Sequence, residues 1–115
     1  MDKLVNRKTR LLFVCTSNLD RSPLAEEICM RTGKYEVKSA GFQPAIGKQK
    51  LNLALIQWAD QILVMNELRE RHKTTLLDIY PDSERKIVVL DVPNTYCRND
   101  PELKKLLKAR LAAYL

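Results

Sequence analysis

Apolar runs and charged, helix-forming stretches take turns along this chain. Arg10 to Cys15 places four consecutive apolar residues before a cysteine, short enough for a buried strand. A polar loop follows, and a helix is expected from Arg21. Pro23 sits in its first turn, Leu24, Ile28 and Cys29 face inward, and Gly33 ends it. Tyr35 to Ser39 alternates as a second strand, closed by Ala40-Gly41, and residues 42–50 read as a loop. Leu51 to Trp58 reads as a short apolar helix, with Trp58 in the core. Gln61 to Met65 is a third buried strand and Glu67 to Leu77 a charged amphipathic helix, with His72 on its solvent side. After a turn at Tyr80-Pro81-Asp82-Ser83, Lys86 to Leu90 is a fourth strand and Val92 to Asp100 a loop. Leu103, Leu106, Leu107, Leu111 and Tyr114 carry the period of a terminal helix over Pro101 to Leu115.

Four strands alternating with helices predict an α/β fold: a parallel sheet with helices on both faces and right-handed crossovers. Open sheets of this kind bind ligands beyond the carboxyl ends of their strands. Cys15 ends the first strand and the 91–100 loop follows the fourth, so both are expected at one edge. With 115 residues and no repeat or linker, residues 1–115 read as a single domain.

Composition narrows the classes. The chain is 45% hydrophobic and 30% charged, with no apolar stretch near the ~20 residues of a membrane span. Its opening, MDKLVNRKTR, lacks an apolar signal region, which points to the cytoplasm. The net charge of +6 is scattered over residues 3–10, 69–73 and 104–110 without interleaved aromatics. That distribution argues against nucleic acid and suits a field that attracts anionic substrates. The cysteines at 15, 29 and 97 form no Cys-x-x-Cys pair and His72 is the sole histidine, so neither a metal site nor another cofactor is expected.

The chemistry concentrates between the first strand and the first helix. Cys15 and Arg21 bracket five residues, with Ser22-Pro23 following. A strand, a short loop and a helix start bring backbone N–H groups and a helix N-terminus together on one sulfur, which favours a thiolate. The same donors cradle phosphate oxygens, and a planar guanidinium grips two at once. In-line displacement by Cys15 would give a phosphocysteine that water hydrolyses. Asn18 tolerates a left-handed backbone and braces the loop through its amide.

Cys15-Thr16-Ser17-Asn18-Leu19-Asp20-Arg21-Ser22-Pro23, after an apolar strand, resembles the phosphate-binding loop of the low-molecular-weight protein tyrosine phosphatases. Ser39-Ala40-Gly41, Ala59 to Met65 and Val92-Pro93-Asn94-Thr95-Tyr96 follow in the family's order. The short segment between Gly41 and Asp60 resembles the compact microbial members. The resemblance implies Cys15 as nucleophile and Arg21 as phosphate ligand. It makes Thr16, Ser17, Asn18, Leu19, Asp20 and Ser22 the cradle, Asn94 and Tyr96 pocket residues, and Ser39 the support of Asn18. It implies a phosphorylated protein or small phosphate ester as substrate.

Three positions depart from the pattern. Ser17 stands where glycine is usual and Asp20 where many members carry a second cysteine, so a disulfide within the loop is impossible. Asn94 stands at the position of the family's acid, and an amide cannot donate a proton to the leaving oxygen. Asp91 can replace it if the loop shifts by a turn, or is an ordinary strand-end carboxylate; Asp100 reads as the cap of the last helix. Besides a phosphatase, the residues allow a binding module without turnover, an arsenate reductase-like oxidoreductase working through Cys97, and phosphocysteine transfer in a sugar-transport relay.

Overall fold

The computed structural model describes residues 7–115; the charged opening segment therefore lies, up to residue 6, outside the described residues. Four parallel strands, β1 (Thr9–Cys15), β2 (Tyr35–Gly41), β3 (Gln61–Val64) and β4 (Ile87–Val89), lie in the order β2-β1-β3-β4. Between and after them come α1 (Arg21–Met30), α2 (Leu53–Trp58), α3 (His72–Ile79) and α4 (Pro101–Arg110). The expected sheet with helices on both faces is present.

β1 is apolar at five successive positions because both its faces are covered. Leu11, Phe13 and Cys15 pack with Leu63 and Met65 against Leu24, Ile28 and Cys29 of α1 and Leu103 and Leu107 of α4. Leu12 and Val14 pack with Ile62 and Val64 against Leu55 and Ile56 of α2 and Leu76 of α3. Cys15 pairs in register with Gly41, so both strand ends meet at the edge where α1 begins. Among the described residues no helix is long and apolar enough to cross a membrane.

The structure corrects some boundaries. A helix was expected from Glu67, but α3 starts at His72. The Asn66 side-chain oxygen accepts the N–H groups of Arg69 and Glu70, folding 66–70 into a turn. Arg71 then takes a left-handed backbone (φ 57°), and the Glu67 carboxylate reaches forward to accept the N–H of Thr74. The terminal helix stops at Arg110 and continues only as a 3-10 turn, Ala112–Tyr114, whose Tyr114 hydroxyl donates to Gln61 Oε1 at 2.6 Å. A 3-10 segment, Pro81–Lys86, takes in Lys86, which was expected to open the fourth strand. Asp100 caps α4 as expected, accepting the N–H of Glu102 at 2.9 Å.

Leu107 is fully buried between α4 and the sheet. Leu107→Ala is expected to cost about 2–5 kcal/mol of unfolding free energy, read from the urea midpoint.

Candidate active site

The loop between β1 and α1 is shaped by bracing from outside. Its carbonyl groups point away and are paired: Cys15, Thr16 and Ser17 accept the N–H groups of Phe42, Gln43 and Ala45 at 3.1, 2.8 and 3.0 Å. The segment after Gly41 thus runs alongside the loop as an irregular ladder. Asn18 carries the left-handed turn expected of it (φ 55°). No such value falls on Ser17, so the serine at the usual glycine position costs no left-handed strain. Gly41 is required instead by close approach, since a Cβ there would lie 2.7 Å from the Thr16 carbonyl oxygen and 2.8 Å from the Asn18 nitrogen.

With the carbonyls turned out, the N–H groups turn in. Asn18 N–H donates to Cys15 Sγ at 3.2 Å. Those of Ser17, Leu19, Asp20 and Arg21 donate to no protein group among the described residues. Four such donors in one loop at a helix start, next to a cysteine sulfur, suit an anion cradle. Ser22 Oγ accepts Asn18 Nδ2–H at 2.9 Å and lies 2.9 Å from Cys15 Sγ, to which it is placed to donate. Asn18 Nδ2 also donates to Ser39 Oγ at 3.0 Å, and Ser39 donates in turn to Glu26 at 2.7 Å. The expected Ser39 support is thus in place geometrically.

Arg21 is buried, with 2% of its side chain exposed. Its Nη1 donates to the Val92 carbonyl at 2.9 Å and its Nη2 to Glu70 Oε2 at 2.7 Å. Asp20, next to it, points outward, its carboxylate accepting the N–H of Arg98 at 2.9 Å. Leu19 lies exposed on the loop's outer rim.

Other predicted residues are placed apart. Asn94 lines a cavity of about 530 Å³ with Asn66, Arg69, Glu70, Pro93 and Thr95. Tyr96 is half-buried against the core under α1 and α4. Asp91 is exposed with a left-handed backbone (φ 60°), its carbonyl accepting Arg110 Nε at 3.3 Å, and its side chain bonds to no loop residue among the described ones. Cys97 is exposed, whereas Cys29 is buried under α1, where burial pushes its thiol up to about 11.

Glu70 and His72 went unread in the sequence. His72, expected at the surface of a charged helix, is buried and stacks on Phe42 at 5.3 Å. Its Nδ1 accepts the Asn66 N–H at 3.0 Å, which leaves the proton on Nε2, 3.0 Å from Thr16 Oγ1. Burial pushes its pKa down to about 4, against the opposing pull of Glu70. Glu70 Oε2 accepts the Thr16 hydroxyl at 3.1 Å as well as Arg21. The signal was the Asn66 turn, which converts a charged helical face into a loop aimed at the site.

No protein-family model and no curated protein matches the chain. Solved structures do. The YwlE arginine phosphatase from Geobacillus stearothermophilus is 25% identical over 91% of this chain and 91% of that one, with a TM-score of 0.70. The low-molecular-weight protein tyrosine phosphatase from T. tengcongensis is 26% identical over 93% of this chain and 95% of that one, with a TM-score of 0.73. The tyrosine phosphatase Wzb from Escherichia coli K30, in complex with phosphate, superposes with a TM-score of 0.76 at 21% identity, over 93% of this chain and 96% of that one.

Two outcomes follow from this geometry. Gly41→Ala is expected to push the loop out of shape and weaken inorganic phosphate binding by about tenfold or more, read by calorimetry, with unchanged helix content. Because the folded pKa of His72 lies near 4, below its usual 6.5, the unfolded chain takes up the proton first. Its contribution to stability is therefore complete above pH 6.5 and is lost as pH falls toward 4. Urea midpoints at several pH values should show that slope, and His72→Asn should flatten it.

Proposed function

We propose that this chain, a member of the low-molecular-weight protein tyrosine phosphatase family, hydrolyses phosphotyrosine or a similar phosphate monoester through a phosphocysteine. One observation carries the reading: Cys15 Sγ accepts the Asn18 N–H in a loop whose N–H groups at Ser17, Leu19, Asp20 and Arg21 have no protein partner among the described residues, and which ends on a buried arginine. Donors of that kind stabilise the charge on transferring oxygens without having to reorganise. Cys15 attacks phosphorus, the bond to the leaving oxygen breaks, and water later cleaves the phosphorus–sulfur bond to release inorganic phosphate. Thr16, Ser17, Asn18, Leu19, Asp20, Arg21 and Ser22 form the cradle in this reading, and Asn94 and Tyr96 come beside the leaving group only if the loop after β4 moves. The substrate is a phosphorylated protein or small ester. The cytoplasm, where thiols stay reduced, suits a mechanism that needs Cys15 free.

The leaving oxygen also needs a proton, and Asn94 cannot give one. General acid catalysis is worth about 10²–10⁴ in rate, so turnover of aryl phosphates is expected to be slow. Asp91 serves as donor only if the 91–97 loop moves, because its side chain now faces solvent.

Release of p-nitrophenol from its phosphate ester near pH 6 tests both parts. Turnover should vanish with Cys15→Ser; turnover that survives removes the cysteine mechanism. Asn94→Asp is expected to raise kcat by about tenfold or more. An unchanged rate means that the acid lies elsewhere or that chemistry is not the slow step; if Asp91 is the donor, Asp91→Asn lowers the rate.

A further inference from the structure

The contact between Glu70 and Arg21 is one that anion binding does not call for. A carboxylate against the guanidinium cancels charge that would attract a phosphoryl group, so an arrangement for affinity alone would exclude it. Its worth to stability is doubtful too, since buried ion pairs often repay little beyond their desolvation. This one is costlier than most, because Glu70 Oε1 is buried without a hydrogen-bond partner among the described residues. Some benefit other than affinity or stability must keep Glu70 there.

Geometry supplies it. Oε2 accepts from Thr16 at 3.1 Å and from Arg21 at 2.7 Å, so one oxygen ties the first residue of the loop to its last. The guanidinium is then anchored twice, at Nη2 by Glu70 and at Nη1 by the Val92 carbonyl, 2.9 Å away. Two anchors fix the plane of a rigid fork. Nε donates to no protein group among the described residues, and Nη2 keeps a second hydrogen. One edge of the fork, Nε with Nη2, is left to grip two phosphoryl oxygens.

Glu70 is itself held in place. Its backbone N–H donates to Asn66 Oδ1 at 3.1 Å, and His72 Nε2 stands 2.7 Å from Oε2. Asn66 also fixes the His72 ring through Nδ1. The turn that displaced the start of α3 is thus the support on which the carboxylate rests.

We propose that Glu70 is a positioning residue, acting through Arg21: it orients the guanidinium for the transition state at some cost in ground-state affinity. The proposal rests on the phosphatase reading above. Only interactions strengthened in the transition state raise kcat, so the effect should appear there rather than in KM.

The test uses Glu70→Gln and Glu70→Asp in the full chain, with urea midpoints to confirm folding. Kinetics are read with p-nitrophenyl phosphate and phenyl phosphate, and inhibition with vanadate and inorganic phosphate. Glu70→Gln is expected to lower kcat on both esters by on the order of 10²-fold, with KM changed little. Vanadate, which resembles the pentacoordinate state, should lose about tenfold or more in affinity while inorganic phosphate loses little or gains. Glu70→Asp should recover part of the loss. Equal weakening of vanadate and phosphate, or an unchanged kcat, overturns the proposal. A loss on phenyl phosphate alone makes Glu70 a proton donor and overturns it as well. Turnover that is insensitive to Cys15→Ser would instead bring down the phosphatase reading, and this inference with it; unchanged Glu70→Gln kinetics in a Cys15-dependent enzyme bring down this inference alone.

Discussion

A loop that holds an anion by its backbone must keep its N–H groups unpaired and inward while its carbonyl groups find partners outside. The two demands conflict, because buried peptide groups are paired almost without exception. Here the irregular segment after Gly41 resolves the conflict by running past the loop and donating to the carbonyls of residues 15 to 17. That is possible only because Gly41 lets the backbones approach closer than any side chain permits. The register between β1 and β2, the shortness of the 42–50 segment and the left-handed Asn18 all serve this one arrangement. Cys15 and Arg21 supply chemistry to a cradle that the rest of the fold holds open.

The fold was legible because β1 and β3 are buried on both faces and read as continuous apolar runs, while the turns carry Gly, Pro and Asn where the backbone needs them. The loop was legible for a related reason: Cys15, Asn18, Arg21 and Ser22 are local in sequence, so their spacing already encodes their geometry. Glu70 and His72 were not. They reach the loop from across the sheet edge, and their charge and polarity made them look like a solvated helix face. What turns them inward is the Asn66 side chain competing with the helix for two backbone N–H groups, and nothing in the hydrophobic period records that competition. The end of the terminal helix at Arg110 escaped the period for a similar reason, since Leu111 at the helix end and Tyr114 in the following 3-10 turn still pack on the core.

The departures from the family pattern prove unequal in weight. Ser17 is accommodated, and Asp20 turns its carboxylate away from the cradle toward Arg98. Asn94 remains the substantial one, because it shares a cavity with Glu70 and offers no acid there. The oxidoreductase reading would need thiols placed as a relay, but Cys29 is locked in the core and Cys97 stands at the surface. The structures that superpose on the chain and meet it at a quarter identity are phosphatases.

The central claim is that Cys15 takes the phosphoryl group. It is tested most directly by mixing the protein with p-nitrophenyl phosphate, quenching in denaturant at alkaline pH within the first turnover and mapping peptides by mass spectrometry. A phosphoryl group on Cys15 that mild acid removes, as expected of a phosphorus–sulfur bond, is the predicted result. Nitrophenol release with no phosphoryl group ever found on Cys15 would contradict it.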